Sequence, residues 1–95
     1  MDNLIVVESP NQFGYTIYSK NNCPYCVKAK ELIKCAQIIE CDEYLTVDKS
    51  TFLKYMDAYS RTEHRTFPMI FYDGEFVGGF TNAKVHYEKL QSVSE

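Results

Sequence analysis

A chain of 95 residues is long enough for one domain and too short for two. Hydrophobic residues make up 45% of it, so a compact core can form without metal ions or disulfide staples. The formal net charge of −3 without a basic cluster argues against nucleic acid binding, and no apolar stretch approaches the roughly 20 residues of a membrane span.

The start of the chain carries an acid, Asp2, where a signal peptide would carry basic residues. We therefore expect the protein to stay in a reducing compartment, the cytoplasm, where structural disulfides are rare. Residues 1–13 form an amino-terminal extension that fits no clear element. Within it, Leu4–Val7 is either an extra strand or a docked segment.

The next part of the chain predicts a strand and a helix. Tyr15–Tyr18 is a β-branched and aromatic run, which indicates a buried strand. The polar stretch Ser19–Asn22 predicts a loop. Pro24 then fits the first position of a helix that reaches about Cys35.

The following segments predict a strand, a second helix and a hairpin. Ile38–Cys41 is a candidate strand, and Asp48 is a candidate N-cap for the helix after it. Met69–Tyr72 predicts a third strand. Asp73-Gly74 is a hairpin signal, and Glu75–Val77 would be the paired fourth strand.

A last helix follows Gly78-Gly79 and would be capped by Thr81 or Asn82. The first strand, helix and strand form a βαβ unit, which implies parallel pairing and a right-handed crossover. The hairpin adds an antiparallel pair. The sequence therefore predicts an α/β fold with a four-stranded mixed sheet flanked by helices.

Cys23-Pro24-Tyr25-Cys26 follows a predicted strand and opens a predicted helix. A helix amino terminus has unpaired N–H groups and a partial positive charge, and both stabilise a thiolate. Cys23, at the N-cap, is the predicted nucleophile toward a disulfide, and Cys26 is the predicted resolving thiol. Lys20 would add cationic stabilisation. The alternatives are a coincidental cysteine pair and half of a zinc site.

The other two of the four cysteines, Cys35 and Cys41, raise the question of a larger zinc site. On the predicted helix, Cys26 and Cys35 would face opposite sides about 13 Å apart along the axis, too far to share one ion. We expect no metal site, and we interpret Cys35 and Cys41 as core or surface residues. A regulatory disulfide or a glutathionylation site is the alternative. His86 is expected to be a surface histidine.

Three motifs together resemble the glutaredoxin family. Cys23–Cys26, preceded by Tyr18-Ser19-Lys20, is similar to the family's dithiol motif. Thr66-Phe67-Pro68 resembles the T-x-P element, whose proline is cis and faces the active site, and Gly78-Gly79 resembles the glycine pair after the hairpin. The resemblance covers about residues 14–92, and it implies a thioredoxin-like fold.

The resemblance implies a single glutaredoxin domain over residues 1–95 and an enzyme. The implied activity is that of a glutathione-dependent thiol-disulfide oxidoreductase, acting through Cys23 and Cys26. Its partners would be glutathione, as reducing co-substrate, and disulfide-containing or glutathionylated proteins, with ribonucleotide reductase as one candidate. No tightly bound cofactor is implied, and a monomer is expected.

Members of the family bind glutathione beside the nucleophile. By resemblance, Lys20 and Arg65 would meet the glycine carboxylate of glutathione. The backbone of Phe67 would meet the cysteinyl part, while Thr81 and Asn82 would take the γ-glutamyl end. The full set of implied glutathione-binding residues is Lys20, Tyr25, Arg65, Thr66, Phe67, Pro68, Gly79, Thr81 and Asn82.

Two positions depart from the family's pattern. Asn82 stands where an acid is usual, so it would meet the ammonium of glutathione without charge assistance. His64 stands where Gln is frequent. Three alternatives stay open: a glutaredoxin-like protein reduced by thioredoxin reductase, an iron–sulfur cluster carrier, and a non-catalytic binding module. Pro24 argues against the carrier, because such members usually have one active-site cysteine followed by Gly.

Overall fold

The computed structural model describes residues 5–93, of which Val93 is described by its backbone alone, so Asp2 and Leu4 lie outside the described residues. In chain order the elements are β1 (Tyr15–Ser19), α1 (Pro24–Leu32), β2 (Gln37–Glu40), α2 (Asp42–Ser60), β3 (Met69–Tyr72), β4 (Glu75–Gly78) and α3 (Phe80–Val93). This is the element order that the sequence predicts.

The four strands form one sheet in the order β2-β1-β3-β4. β1 runs parallel to β2, with Ile17 opposite Ile38, and antiparallel to β3, with Ile17 opposite Ile70. β3 and β4 form the antiparallel hairpin. The predicted α/β class and mixed sheet are confirmed.

Side chains alternate between the two faces of β1, and each face builds its own core. Tyr18 points to the α2 side, where it packs with Phe52 and Phe71. Ile17 points to the other side, where it packs with Ala29 of α1 and Ala83 of α3. The helices described here include none long and apolar enough to cross a membrane.

The ends of α1 and β1 differ from the sequence-based prediction. α1 ends at Leu32 rather than near Cys35, because Ile33 leaves the helical region and its N–H closes the last turn on Ala29. Cys35 is therefore not on the helix, and the axial separation from Cys26 argued above does not apply. Ser19, predicted to lie in the loop, is the last residue of β1.

α2 begins at Asp42, six residues before the predicted cap. Asp48 has a non-helical backbone (φ −160°, ψ 81°) and divides α2 into two segments. Its carboxylate accepts hydrogen bonds from the Thr51 N–H at 3.1 Å and the Thr51 hydroxyl at 2.7 Å. Asp48 is thus an N-cap as predicted, but of the second segment, and Asp42 with Glu43 supplies the acidic first turn of the segment that the prediction omitted.

Residues 5–13, the described part of the amino-terminal extension, form a docked segment and contain no strand. Val7 is 1% exposed and belongs to the core on the α2 side. The Tyr18 hydroxyl donates to the carbonyl of Glu8 and the Tyr59 hydroxyl to the carbonyl of Val7, both at 2.6 Å. These bonds hold the segment without strand pairing.

Candidate active site

The two cysteines of the motif meet at the start of α1. Cys23 is the N-cap, with an extended backbone, and its Sγ accepts a hydrogen bond from the N–H of Cys26 at 3.2 Å. Pro24 occupies the first turn, where its missing N–H costs no hydrogen bond. The predicted N-cap position of Cys23 is confirmed.

Cys23 and Cys26 form a disulfide, with Cα atoms 5.2 Å apart. Cys23 is partly exposed, whereas Cys26 is 1% exposed. An incoming thiolate can therefore reach the sulfur of Cys23 and not that of Cys26.

The Thr66-Phe67-Pro68 segment lies against this disulfide. The Phe67–Pro68 peptide bond is cis, as the resemblance implies. The carbonyl oxygen of Phe67 lies 3.7 Å from Cys23 Sγ. The backbone of Phe67 is therefore beside the sulfur that a substrate would reach.

One cavity, of about 270 Å³, opens beside Phe67 on the side of α3. Seven of the nine residues implied to bind glutathione line it, and His64 and Phe80 complete the lining. The seven are Tyr25, Thr66, Phe67, Pro68, Gly79, Thr81 and Asn82.

A second cavity, of about 340 Å³, lies on the other side of Phe67 and contains the remaining two, Lys20 and Arg65. Lys20 Nζ lies over the Phe67 ring, 5.4 Å from its centroid. Lys49 adds a third cation, which the sequence analysis missed because no motif marks it. Thr66 and Phe67 line both cavities, so the two are adjacent.

Arg65, which lines the second cavity, is paired with a carboxylate. Its guanidinium makes two hydrogen bonds to the carboxylate of Asp57, at 2.7 and 3.0 Å. These bonds lower the pKa of Asp57 and raise that of Arg65. The sequence analysis missed Asp57, because nothing in its spacing from Arg65 indicates a pair.

Asn82 lies against the glycine pair. A Cβ on Gly78 would come within 2.9 Å of Asn82 Cβ, and Gly78 has a φ of +133°. Both the close approach and the backbone conformation favour glycine at this position. Gly78 therefore permits the position of Asn82 at the edge of the first cavity.

Two aromatic contacts shape the same cavity. Tyr25 is 54% exposed, with its ring 5.7 Å from that of Phe80. His64 Nε2 lies 3.1 Å from the Thr66 hydroxyl oxygen, and its ring packs edge-on to Phe76. His64 is therefore held at the cavity wall by contacts on two sides.

The remaining cysteines lie away from this site. Cys35 is an exposed free thiol, and Cys41 is a fully buried one. Cys41 Sγ donates to the carbonyl of Ile39 at 3.4 Å, and burial raises its pKa to about 12. Among residues 5–93, no three His, Cys, Asp or Glu side chains are grouped to hold a metal ion.

His86 is not the surface residue expected from the sequence. It is half-buried, and its Nδ1 lies 2.5 Å from the Tyr15 hydroxyl oxygen. Its ring packs against those of Tyr15 and Tyr72. The aromatic residues at the ends of β1 and β3 cover it, and sequence spacing does not reveal that contact.

In comparisons of the sequence with known proteins, the matching family model and the most similar relatives belong to the same family. Residues 15–77 match the family model described as Glutaredoxin. Human "Glutaredoxin-2, mitochondrial" is 36% identical over 77 residues, which cover 76% of this chain and 44% of the human protein. The matched region thus spans less than half the length of that relative.

Solved structures show the same architecture. Glutaredoxin 1 from Francisella tularensis, complexed with cacodylate, is 32% identical with a TM-score of 0.69, over 82% of this chain and 95% of that one. A buckwheat glutaredoxin–glutathione complex is 24% identical with a TM-score of 0.64, over 88% and 76% respectively, and this likeness concerns the fold. The fold is thioredoxin-like, and with the sequence match over residues 15–77 it shows that the chain belongs to the glutaredoxin family.

Proposed function

We propose that the chain is a glutathione-dependent thiol-disulfide oxidoreductase that reduces protein disulfides and protein–glutathione mixed disulfides. The observation that carries this proposal is the disulfide at the start of α1, which pairs an accessible sulfur with a buried one. A helix amino terminus favours the thiolate of Cys23 once the disulfide is reduced.

The proposed reduction of a protein disulfide conserves atoms and electrons. The Cys23 thiolate attacks one substrate sulfur, forms a mixed disulfide and releases the other substrate sulfur as a thiolate, which takes a proton. The Cys26 thiolate then attacks Cys23 Sγ. This step forms the Cys23–Cys26 disulfide and releases the second substrate thiolate.

Glutathione regenerates the dithiol in two steps. A glutathione thiolate attacks Cys23 Sγ, which forms a Cys23–glutathione disulfide and frees Cys26. A second glutathione attacks the glutathione sulfur, so that glutathione disulfide leaves and Cys23 returns as the thiolate. Reduction of a glutathionylated protein needs Cys23 alone, because attack on the glutathione sulfur gives the same Cys23–glutathione disulfide.

Glutathione has two carboxylates and one ammonium, and the two adjacent cavities match this charge pattern. Lys20, Lys49 and Arg65 offer cations to the glycine carboxylate. The backbone of Phe67, next to Cys23 Sγ, faces the cysteinyl part. Asn82, in the neighbouring cavity, offers an amide oxygen to the ammonium of the γ-glutamyl end.

The proposal extends to the cellular setting. The reaction takes place in the cytoplasm, with the protein as a monomer and without a tightly bound cofactor. Ribonucleotide reductase is one disulfide-containing partner of suitable chemistry.

A coupled assay with glutathione, glutathione reductase and NADPH tests the proposal. Cys26→Ser should retain turnover of a glutathionylated peptide and lose most reduction of a protein disulfide. Cys23→Ser should lose both activities. Cys35→Ser is the matched control, because Cys35 is an exposed thiol outside the two cavities, and it should retain both.

Three outcomes would overturn the proposal or redirect it. Equal loss of both activities in Cys26→Ser would contradict the division of roles between the cysteines. Turnover with thioredoxin reductase and NADPH, but not with glutathione, would favour a glutaredoxin-like protein that is reduced by thioredoxin reductase. Visible absorbance of an iron–sulfur cluster in protein purified without oxygen would favour a cluster carrier.

A further inference from the structure

One carboxylate of glutathione has no partner in the function proposed above. The second cavity offers its cations to the glycine carboxylate. The other carboxylate, the α-carboxylate of the γ-glutamyl end, would enter the first cavity together with the ammonium that Asn82 faces. A carboxylate loses hydration when it enters a cavity, and this loss is costly unless donors or a positive charge replace the water. The first cavity should therefore contain a group that compensates this negative charge.

His64 is the residue of the first cavity that can carry a positive charge. The other eight lining residues have no basic side chain; they are Tyr25, Thr66, Phe67, Pro68, Gly79, Phe80, Thr81 and Asn82. Lys28 Nζ lies over the Tyr25 ring, 4.9 Å from its centroid, but Lys28 does not line the cavity. Histidine changes its charge between about pH 5 and 8. The lining therefore gains one positive charge as the pH falls through this range.

The imidazole of His64 borders the beginning of α3. A Cβ on Gly79 would lie 3.8 Å from His64 Cε1 and 3.9 Å from His64 Nε2. Gly79 directly precedes α3, and its carbonyl accepts a hydrogen bond from the N–H of Ala83 at 3.0 Å. The Cε1–Nε2 edge of the ring is therefore next to the segment that carries Thr81 and Asn82, where the γ-glutamyl end is proposed to bind.

Two contacts hold the half-buried ring in this position. His64 Nε2 lies 3.1 Å from the hydroxyl oxygen of Thr66. The ring packs edge-on against Phe76 of β4, with the centroids 5.1 Å apart. The ring is thus positioned before any ligand arrives, so little side-chain freedom is lost on binding.

The charged groups around His64 do not titrate in the same range. Glu63 and Arg65 flank it in the chain, and Arg65 donates to the His64 carbonyl at 3.4 Å and to the carboxylate of Asp57. From α1, the phenol of Tyr25 reaches the cavity, and α3 contributes no charged side chain to the lining. Carboxylates, guanidinium groups and phenols keep their charge state where histidine titrates. A change of ligand affinity across that range would therefore report on a histidine.

We propose that His64, when protonated, binds the α-carboxylate of the γ-glutamyl end of glutathione. This assignment rests on the proposed function and adds a specificity-determining residue to its binding site. The imidazolium donates a charge-assisted hydrogen bond, whereas Gln, which is frequent at this position in the family, donates only a neutral one. Glutathione affinity thus increases as the pH falls, independently of the cysteine thiols.

Calorimetric titration of the oxidised protein with S-methyl glutathione tests the proposal, because neither the ligand nor the Cys23–Cys26 disulfide has a titrating thiol. The dissociation constant should rise between about pH 5.5 and 8, by at most about fivefold, since solvent screens the charge. His64→Gln should remove this pH dependence. His86→Gln is the matched control and should retain it, because His86 is the other of the chain's two histidines and lines a different cavity.

Two analogues, titrated into the wild-type protein, identify the carboxylate that His64 meets. S-methylated γ-aminobutyryl-cysteinyl-glycine lacks the α-carboxylate, so its affinity should not depend on pH in this range. S-methylated γ-glutamylcysteinamide lacks the glycine carboxylate and keeps the α-carboxylate, so its affinity should retain the pH dependence. This comparison needs no substituted protein, so the folding of a variant does not affect it.

The outcomes separate this proposal from the proposed function. Binding of S-methyl glutathione without pH dependence, or with equal dependence in His64→Gln, would overturn the role of His64 alone. Weaker binding at low pH would mean that the ammonium meets His64, which also overturns it. A pH dependence that is lost with γ-glutamylcysteinamide but kept with the γ-aminobutyryl analogue would place His64 at the glycine carboxylate and overturn it too. Absence of any binding would refute the glutathione dependence of the proposed function itself.

Discussion

Asp57 of α2 holds Arg65 through two parallel hydrogen bonds, between Nη1 and Oδ1 at 2.7 Å and between Nη2 and Oδ2 at 3.0 Å. Arg65 lines the cavity that also contains Lys20 and Lys49. The carboxylate of Asp57 therefore offsets part of the positive charge that the cavity offers to a carboxylate ligand.

Asp57→Asn should lower the KM for glutathione by a small factor, at most about fivefold, because solvent screens an exposed charge. Asn keeps an acceptor for Arg65 but removes the competing charge. Arg65→Ala should raise the KM, and both effects should shrink at high salt. Lys54→Ala is the control, because Lys54 lines a cavity with Asp57 and Arg65 but does not line the cavity that contains Lys20. An unchanged KM in both test variants would place the glycine carboxylate elsewhere.

Asn82→Asp should tighten glutathione binding by about 0.2–1 kcal/mol, because a carboxylate offers the γ-glutamyl ammonium a full charge. Asn82 is exposed at the cavity edge, so the gain stays small and salt-dependent. Calorimetric titration with an unreactive S-methyl glutathione measures it directly. Thr81→Ser, which keeps the neighbouring hydroxyl, serves as the control. Weaker binding by the Asp variant at low salt would mean that the ammonium lies at another position.

Cys41 should make the protein less stable in alkali. Burial raises its folded pKa to about 12, above the unfolded value of about 8.5. The buried, protonated thiol of Cys41 therefore contributes its full stabilisation of the folded state below about pH 8.5. This stabilisation is lost progressively as the pH rises toward about 12. Between pH 8 and 9.5, below the tyrosine range, the free energy of unfolding should fall by about 1 kcal/mol.

Cys41→Ala should reduce this pH dependence, although it should lower stability at neutral pH. Denaturant unfolding of the oxidised protein at several pH values measures the effect. Alkylation provides a second test, since Cys35 should react in the native state and Cys41 only after unfolding. An equal pH slope in the wild type and the variant would contradict the assignment.

Tyr59→Phe should loosen the docked amino-terminal segment. The Tyr59 hydroxyl donates to the carbonyl of Val7, and the loss of this bond should cost about 1 kcal/mol of stability. Proteolysis near Glu8 should become faster. Tyr55→Phe is the matched control, because the Tyr55 ring packs against Tyr59 while its hydroxyl makes no hydrogen bond within residues 5–93. Equal losses in the two variants would refute a specific role for the Val7 contact.

Local chemistry explains why much of the fold could be predicted. The hairpin follows from Asp73-Gly74, whose backbones both adopt positive φ, 51° and 83°. Cys23 and Asp48 are N-caps because their side chains accept hydrogen bonds from N–H groups three residues ahead. Each of these features depends on residues close in the chain, so the sequence alone contains the signal.

Contacts between segments that are distant along the chain could be identified only from the tertiary structure. Tyr59 binds the carbonyl of Val7 across 52 positions, and Tyr15 meets His86 across 71. Such contacts depend on how strands and helices pack, and periodicity within one element does not encode them. The sequence alone therefore left the docking of the extension open. It gave a wrong expectation for His86, which was expected at the surface.

The active site combines both kinds of information. The sequence by itself determined the cysteine pair at a helix start, since strand, proline and helix follow one another there, and the resemblance supplied the implied ligand residues. Tertiary packing alone decided that Asp57 engages Arg65, that Lys49 joins the cationic cavity, and that His64 lies at the wall of the first cavity. The physical reason is that hydrogen bonding and burial of a side chain depend on its neighbours in space, whereas capping and turn formation depend on its neighbours in the chain.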